Sequence, residues 1–168
     1  RVIRIDERHA ECAIFIGGEK DAATRTQAAL SPLSQRIFHV GPLGTGMAMK
    51  TVNTALMQSY LAGLAEQIRV AKRAGLPIET ALKILCGGPA GLPMVRDCLP
   101  KILGQDDTVG FTVSGIGKDN AVFQRVAAEL GIDTPTLKAA EAMIRDGVAT
   151  GLSEADPAAL FAQAYRDA

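Results

Sequence analysis

Lys50, Asn53 and Thr54 are the first side chains in this sequence whose types and spacing could do chemistry together. Separations of three and four residues stack on one face of a helix, so an ammonium, an amide and a hydroxyl would converge there. They follow the turn Gly44-Thr45-Gly46. Glycine admits a close backbone or ligand, and the free N–H groups of a starting helix favour anions. The same residues also read as a solvated helix start, with Lys50 in water just before an apolar segment enters the core. A second candidate pair is Lys118-Asp119, which Gly115 and Gly117 place near the start of a helix. A cation in a first turn opposes the helix dipole by about a few tenths of a kcal/mol, an effect that Asp119 beside it offsets.

Other reactive residue types carry less. His9 and His39 share no ligand spacing, and no metal is expected. Met47, Met49 and Met57 are expected in the core. Cys12, Cys86 and Cys98 lack CxxC spacing and read as reduced thiols of a cytoplasmic protein, Cys86 and Cys98 as packing groups. Lys plus Arg number 18, as do Asp plus Glu, and aromatic residues make up 4% with no Trp. That leaves neither an electrostatic footprint nor stacking platforms for nucleic acid. No apolar run approaches the ~18 residues of a membrane span, and no signal peptide is visible. Neither nucleic acid nor membrane is expected as a partner.

The elements that must position these residues follow from pattern. Ala13 to Ile16 is a short apolar run rich in β-formers, stopped by Gly17-Gly18; Glu19 to Leu30 reads as a helix; Arg36 to Val40 reads as a second strand. Arg1 to Ile5 alternates like a strand already in progress, and the chain opens on Arg rather than Met, so a fragment or processed chain is expected. From Thr45 to Arg73, past Gly46, only Gly63 interrupts a long helix, and Ala74-Gly75 with Pro77 stops it. Apolar residues surround its middle, which predicts a buried central spine with Gly63 as a close-packing site. Shorter helices are expected over Glu79–Cys86, Pro93–Leu103 and Lys118–Leu130, then from Pro135 behind Thr134 as N-cap and from Pro157 behind Asp156. The architecture predicted is mainly α: a β-α-β remnant of a dinucleotide-binding domain over residues 1–42, then an all-helical domain over residues 43–168 built around the long helix.

Several ordered motifs resemble one family. Val40-Gly41-Pro42-Leu43-Gly44-Thr45-Gly46 leading to Lys50 and Asn53 is similar to the stretch joining the two domains of the β-hydroxyacid dehydrogenases. That family includes 3-hydroxyisobutyrate dehydrogenase, tartronate semialdehyde reductase and, more distantly, 6-phosphogluconate dehydrogenase. Ala65-Glu66 with Ala74-Gly75-Leu76, Phe111 to Asp119, and Gly151 to Asp156 resemble its later segments in order. The resemblance implies a helical domain like the carboxyl-terminal domain of 6-phosphogluconate dehydrogenase. It implies that Lys50 is the catalytic lysine, that Asn53 and Thr54 contact substrate, and that Lys118 lines the cofactor cleft. Thr54 departs from the second asparagine many members carry, and a hydroxyl cannot offer an amide's separate donor and acceptor.

The resemblance further implies NAD or NADP as cofactor of the intact parent, a small β-hydroxyacid or its semialdehyde as substrate, and a homodimer or higher homo-oligomer. No GxGxxG follows a strand: Gly41 to Gly46 is spaced differently and lacks the ribose-binding acid of a βαβ unit. The chain by itself is therefore expected to bind no dinucleotide and to be inactive. The opposing reading is a non-catalytic helical module for dimerisation or ligand binding.

Overall fold

A computed structural model describes residues 12–168, so the expected strand over Arg1 to Ile5 and His9 lie outside the described residues. The chain divides into two compact units, residues 1–54 and 55–168. The boundary falls inside a single helix, α2, described below.

In the first unit, β1 (Ile14–Gly17), α1 (Lys20–Leu30) and β2 (Ile37–Gly41) form a β-α-β element. The strands pair in parallel, Ile14 with Ile37, Phe15 with Phe38 and Ile16 with His39, with a register shift before Gly17 meets Gly41. Parallel neighbours cannot be joined by a tight turn, and α1 is the crossover that makes the pairing possible. Ala23 and Ile37 are buried between helix and strand, and Gln27 Nε2 donates to Ile37 O at 3.1 Å. The phenyl rings of Phe15 and Phe38 stack with centroids 6.2 Å apart. His39 Nε2 donates to Gly18 O at 2.7 Å, a bond that ties the end of β2 to the end of β1.

The helix α2 (Thr45–Arg73) has the span the sequence predicts, 29 residues. It ends where Gly75, at φ +78, lets Leu76 N–H reach Ala71 O (2.9 Å) and Gly75 N–H reach Lys72 O (3.0 Å), the paired bonds of a glycine-capped helix. Then follow α3 (Ile78–Gly87), α4 (Pro93–Ile102), α5 (Val113–Glu129), α6 (Pro135–Ala149) and α7 (Ala158–Arg166). The main core of the second unit joins Leu61, Leu64, Ala65 and Ile68 of α2 to Leu82 of α3, Val95 of α4 and Phe161 of α7. A smaller cluster joins Val113 and Ile116 of α5 to Ile144 of α6 and Leu160 of α7.

Three expectations are corrected here. α2 is not buried all round: Gln58, Leu61, Ala62, Ala65 and Ile68 form one buried stripe, whereas Leu56 is 69% exposed and Val70 59%. Burial follows the neighbours' side of the helix, and α2's apolar residues extend beyond that stripe. Gly63 lies on the exposed side, and a Cβ added there would meet no atom within 4 Å, so it is not a close-packing site within this chain. Finally, α5 begins at Val113, not near Lys118, because Thr112 Oγ1 caps it by accepting from Gly115 N–H at 3.0 Å. Gly115 and Gly117 are inside the helix, and a Cβ on Gly117 would approach Ile144 Cγ2 to 3.1 Å. The last two caps divide. Thr134 precedes α6 without a side-chain cap, while Asp156 Oδ1 accepts from Ala158 N–H at 3.1 Å as a capping residue does, although α7 itself starts at Ala158, one residue after the expected Pro157.

Candidate functional site

The position of Lys50 is built from the backbone up. Gly41 and Gly44 have φ of +126 and +96, values that suit glycine, and they fold the segment after β2 back on itself. Pro42 O accepts from both the amide (3.1 Å) and the hydroxyl (2.7 Å) of Thr45, which fixes the first residue of α2. A Cβ on Gly46 would lie 2.8 Å from Phe15 O and 2.9 Å from Gly17 N, and one on Gly17 would lie 2.8 Å from Gly46 N. The first turn of α2 therefore rests directly on the backbone of β1. What Gly46 admits is this strand, whereas a Cβ on Gly44 would face open space, and the turn's carbonyl and hydroxyl groups close on one another.

One helical turn past Gly46, Lys50 lines an open cavity of about 470 Å³ together with Asn53, Met47 and the segment Cys12 to Phe15, which leads into β1. The wall is mostly apolar, and its polar side-chain groups at α2 are the Lys50 ammonium and the Asn53 amide. Both residues are exposed. The i, i+3 spacing thus brings an ammonium and an amide to one concavity, an arrangement suited to hydrogen-bonding a small oxygenated ligand. Thr54 is half-buried and is not among the residues lining that cavity. Met47 is 69% exposed, at the cavity wall and not in the core, which corrects that expectation; Met49 and Met57 are half-buried.

Lys118 is in the second unit, exposed in the second turn of α5, with Asp119 half-buried beside it. The helix dipole acts mainly within the first turn, so the mismatch expected for Lys118 does not arise. Two residues on, Asn120 is fully buried. Its Nδ2 donates to Gln58 Oε1 of α2 at 2.7 Å and to Leu137 O of α6 at 3.2 Å, and its Oδ1 accepts from Gln124 Nε2 at 2.6 Å. Gln58, 3% exposed, donates from Nε2 to Ile116 O at 3.1 Å. Sequence reasoning missed this network, although an amide at position 120 between Ile116 and Phe123, on the apolar side of α5, was its visible signal.

A further polar cluster was also missed. Lys101 Nζ and Asp156 Oδ2 pair at 2.8 Å with side chains 17% and 15% exposed, and Asp156 also accepts from Gly110 N–H at 3.1 Å. Burial pushes the Asp156 carboxyl up, but the hydrogen bonds from Lys101, Ala158 and Gly110 outweigh it and hold the group below the usual carboxylate range. The same hydrogen bond holds the Lys101 ammonium above its ordinary value. Burial raises the nearby Cys98 thiol. Among the described residues no group of three or more His, Cys, Asp or Glu could hold a metal ion, and no helix is long and apolar enough to cross a membrane.

Known proteins share this architecture. An oxidoreductase of Bacillus subtilis (strain 168), YkwC, is 29% identical over 139 residues, covering 83% of this chain and 48% of its own length. The 2-(hydroxymethyl)glutarate dehydrogenase of Eubacterium barkeri is 28% identical over 150 residues, covering 88% of this chain and 50% of its own. The crystal structure of 3-hydroxyisobutyrate dehydrogenase from Salmonella typhimurium superposes with a TM-score of 0.77 at 21% identity, over 86% of this chain and 51% of that one. The chain thus spans about half the length of the relatives it matches. Residues 44–164 match the family described as NAD-binding of NADP-dependent 3-hydroxyisobutyrate dehydrogenase. With that match covering most of its length, the chain belongs to the 3-hydroxyisobutyrate dehydrogenase family, whose members are NAD(P)-dependent oxidoreductases of small hydroxyacids.

Proposed function

We propose that this chain is the helical, carboxyl-terminal part of an NAD(P)-dependent oxidoreductase acting on a small β-hydroxyacid or its semialdehyde, with Lys50 as its proton-handling residue. The observation that carries the reading is the convergence of Lys50 and Asn53 on one open, largely apolar cavity. A relative that dehydrogenates 2-(hydroxymethyl)glutarate supports the substrate class, since a hydroxymethyl group beside a carboxyl-bearing carbon is a β-hydroxyacid. When bound, the nicotinamide cofactor supplies a hydride acceptor or donor.

The chain's own residues do the rest. Oxidation of a carbinol requires loss of the hydroxyl proton, and reduction requires a proton delivered to the forming alkoxide. Lys50 Nζ takes or gives that proton at the substrate oxygen, the kind of step worth about 10²–10⁴-fold. Asn53 orients the ammonium or the substrate through its amide. Thr54, one residue on, tunes which substrate is accepted. Lys118 supplies a cation to the cofactor and substrate cleft. The donor set fits a dinucleotide only in part: Lys118 offers charge, but the turn before α2 lacks GxGxxG spacing and its Gly46 packs on β1, where it is closed to a pyrophosphate. We therefore assign residues 1–42 to a remnant of the dinucleotide-binding domain and residues 43–168 to the substrate and dimerisation domain. By itself the chain is inactive in this reading.

The exposed side of α2 supports homo-oligomer formation. Leu56, Gly63 and Val70 recur there at near-helical intervals, and an apolar stripe of this kind seeks cover. Three free thiols, Cys12, Cys86 and Cys98, support a reducing compartment such as the cytoplasm. The test of the central claim is Lys50→Ala and Lys50→Met in the full-length protein. The expected result is a kcat lower by at least about a hundredfold with cofactor affinity little changed. Near-normal turnover in either variant removes Lys50 from the mechanism.

A further inference from the structure

On its face toward α6, α5 presents Gly117, which has no side chain of its own, and Ile144 Cγ2 comes to within 3.1 Å of where a Cβ would stand. Its other inward residues, Val113, Ile116 and Phe123, are apolar and tolerate repacking. Set among them are two buried amides. Asn120 bonds to α2 through Gln58, to α6 through Leu137 O, and along α5 through Gln124, whose Nε2 also reaches Glu141 Oε2 of α6 at 2.9 Å. Among the described residues no buried side-chain nitrogen or oxygen lacks a partner.

Such an arrangement tolerates one alignment. A slip of one residue turns a helix by about 100° and advances it about 1.5 Å. Asn120 would then lose Gln58 and Leu137 together, keeping Gln124 on its own helix, and Gln58 would lose both Asn120 and Ile116 O, a costly state in a low-dielectric interior. An all-apolar face would pay far less for the same slip. Lys118 is two residues from Asn120 on the same helix, so the same slip would carry it out of place, and misplacements of about 1 Å already matter to bound reactants.

We infer that the Gln58–Asn120 amide pair is a register lock that fixes α5 against α2 and α6 and thereby positions Lys118, contributing alignment more than stability. Its functional consequence rests on the reading of Lys118 given above, whereas the lock itself does not. The test is the double variant Gln58→Leu with Asn120→Leu in the 168-residue chain. It replaces the pair by apolar groups of similar size, which is often neutral or stabilising for buried polar pairs. Two readouts are taken, the melting temperature and the nuclear Overhauser contact between Gly117 Hα and the Ile144 γ2 methyl. The expected result is a melting temperature within roughly 5 °C of the unsubstituted chain or above it, with that contact weakened and the amide signals of α5 doubled. The single variant Asn120→Leu, which strands Gln58 and Leu137 O, is expected to melt lower than the double. A double variant with the contact intact and one set of α5 signals overturns the proposal. So does one that melts far below the unsubstituted chain, because the pair would then be a stabiliser. Lys118→Ala, expected to leave the contact unchanged, separates failure of the lock from failure of the cofactor-lysine reading, which its dinucleotide affinity in the full-length protein tests.

Discussion

At the scale of single residues, two glycines of α2 make opposite predictions. Gly46→Ala places a methyl 2.8 Å from Phe15 O and 2.9 Å from Gly17 N, and backbone cannot step aside as a side-chain tip can. A loss of about 1–3 kcal/mol is expected in urea unfolding. Gly63→Ala adds its methyl where this chain leaves open space and, in the monomer, should gain about 0.5–1 kcal/mol by helix propensity alone. The sequence gives both residues the same look, a glycine near or within a helix, because it does not say what lies opposite each one. It does show that Lys50 and Asn53 share a face, since helical spacing is a local property. That Thr54 stands away from the cavity wall was not legible, because neighbouring positions on a helix point about 100° apart and the wall's extent is set by β1. Asn120 shows the same limit: its partners are on α2 and α6, far away in the chain.

At the scale of elements, the joint between α4 and α7 rests on Lys101 and Asp156. The carboxyl's lowered pKa means that its contribution is complete above the ordinary aspartate value of about 3.9 and is lost as pH falls through the lower folded-state value. The lysine's raised pKa has the opposite sense: its contribution is complete below about 10.4 and is lost as pH rises through the higher folded-state value. Between those limits the pair's contribution should be flat with pH. Asp156→Asn should cost about 1–3 kcal/mol at pH 7, because Lys101 and the Gly110 N–H lose a charged acceptor. The cost should shrink as pH falls below about 4, where the unfolded carboxyl protonates first and the native one follows at its lower value. Urea midpoints at pH 7 and pH 3 measure both arms, and an equal cost at the two pH values would show that charge plays no part. Element ends were legible where a side chain or glycine caps locally, as at Gly75 after α2. They were less so at α5, where Gly115 and Gly117 look like breakers but are accommodated by Phe111, Thr112 and Ile144.

At the scale of the whole molecule, the predictions concern what the chain associates with. Sedimentation at micromolar concentration should show a dimer or larger species, and Leu56→Glu or Val70→Glu should shift it toward monomer, with the melting temperature losing its dependence on concentration. A monomer before substitution would count against the assembly reading. Calorimetric titration of the 168-residue chain with NADH or NADPH should show no measurable binding, since no phosphate-cradling turn is present in its sequence. Tight binding would mean that the cofactor is held by helical-domain residues alone. The mainly helical architecture was legible because long periodic segments report their own type. What composition could not report was which apolar residues find partners within the chain, so α2 looked buried on every side when it is buried on one.

The contact between Gly17 and Gly46 has a consequence for precision. Most packing interfaces are made of side chains, and each brings rotamers that hop and blur the atoms resting on them. Here strand backbone meets helix backbone with no rotatable group between them. There is no side-chain entropy to lose at this joint and none to fluctuate after it forms. The backbone one turn on, which carries Lys50, inherits its thermal spread from a hydrogen-bonded strand, leaving the lysine's own four-carbon stem as the soft link between scaffold and cavity.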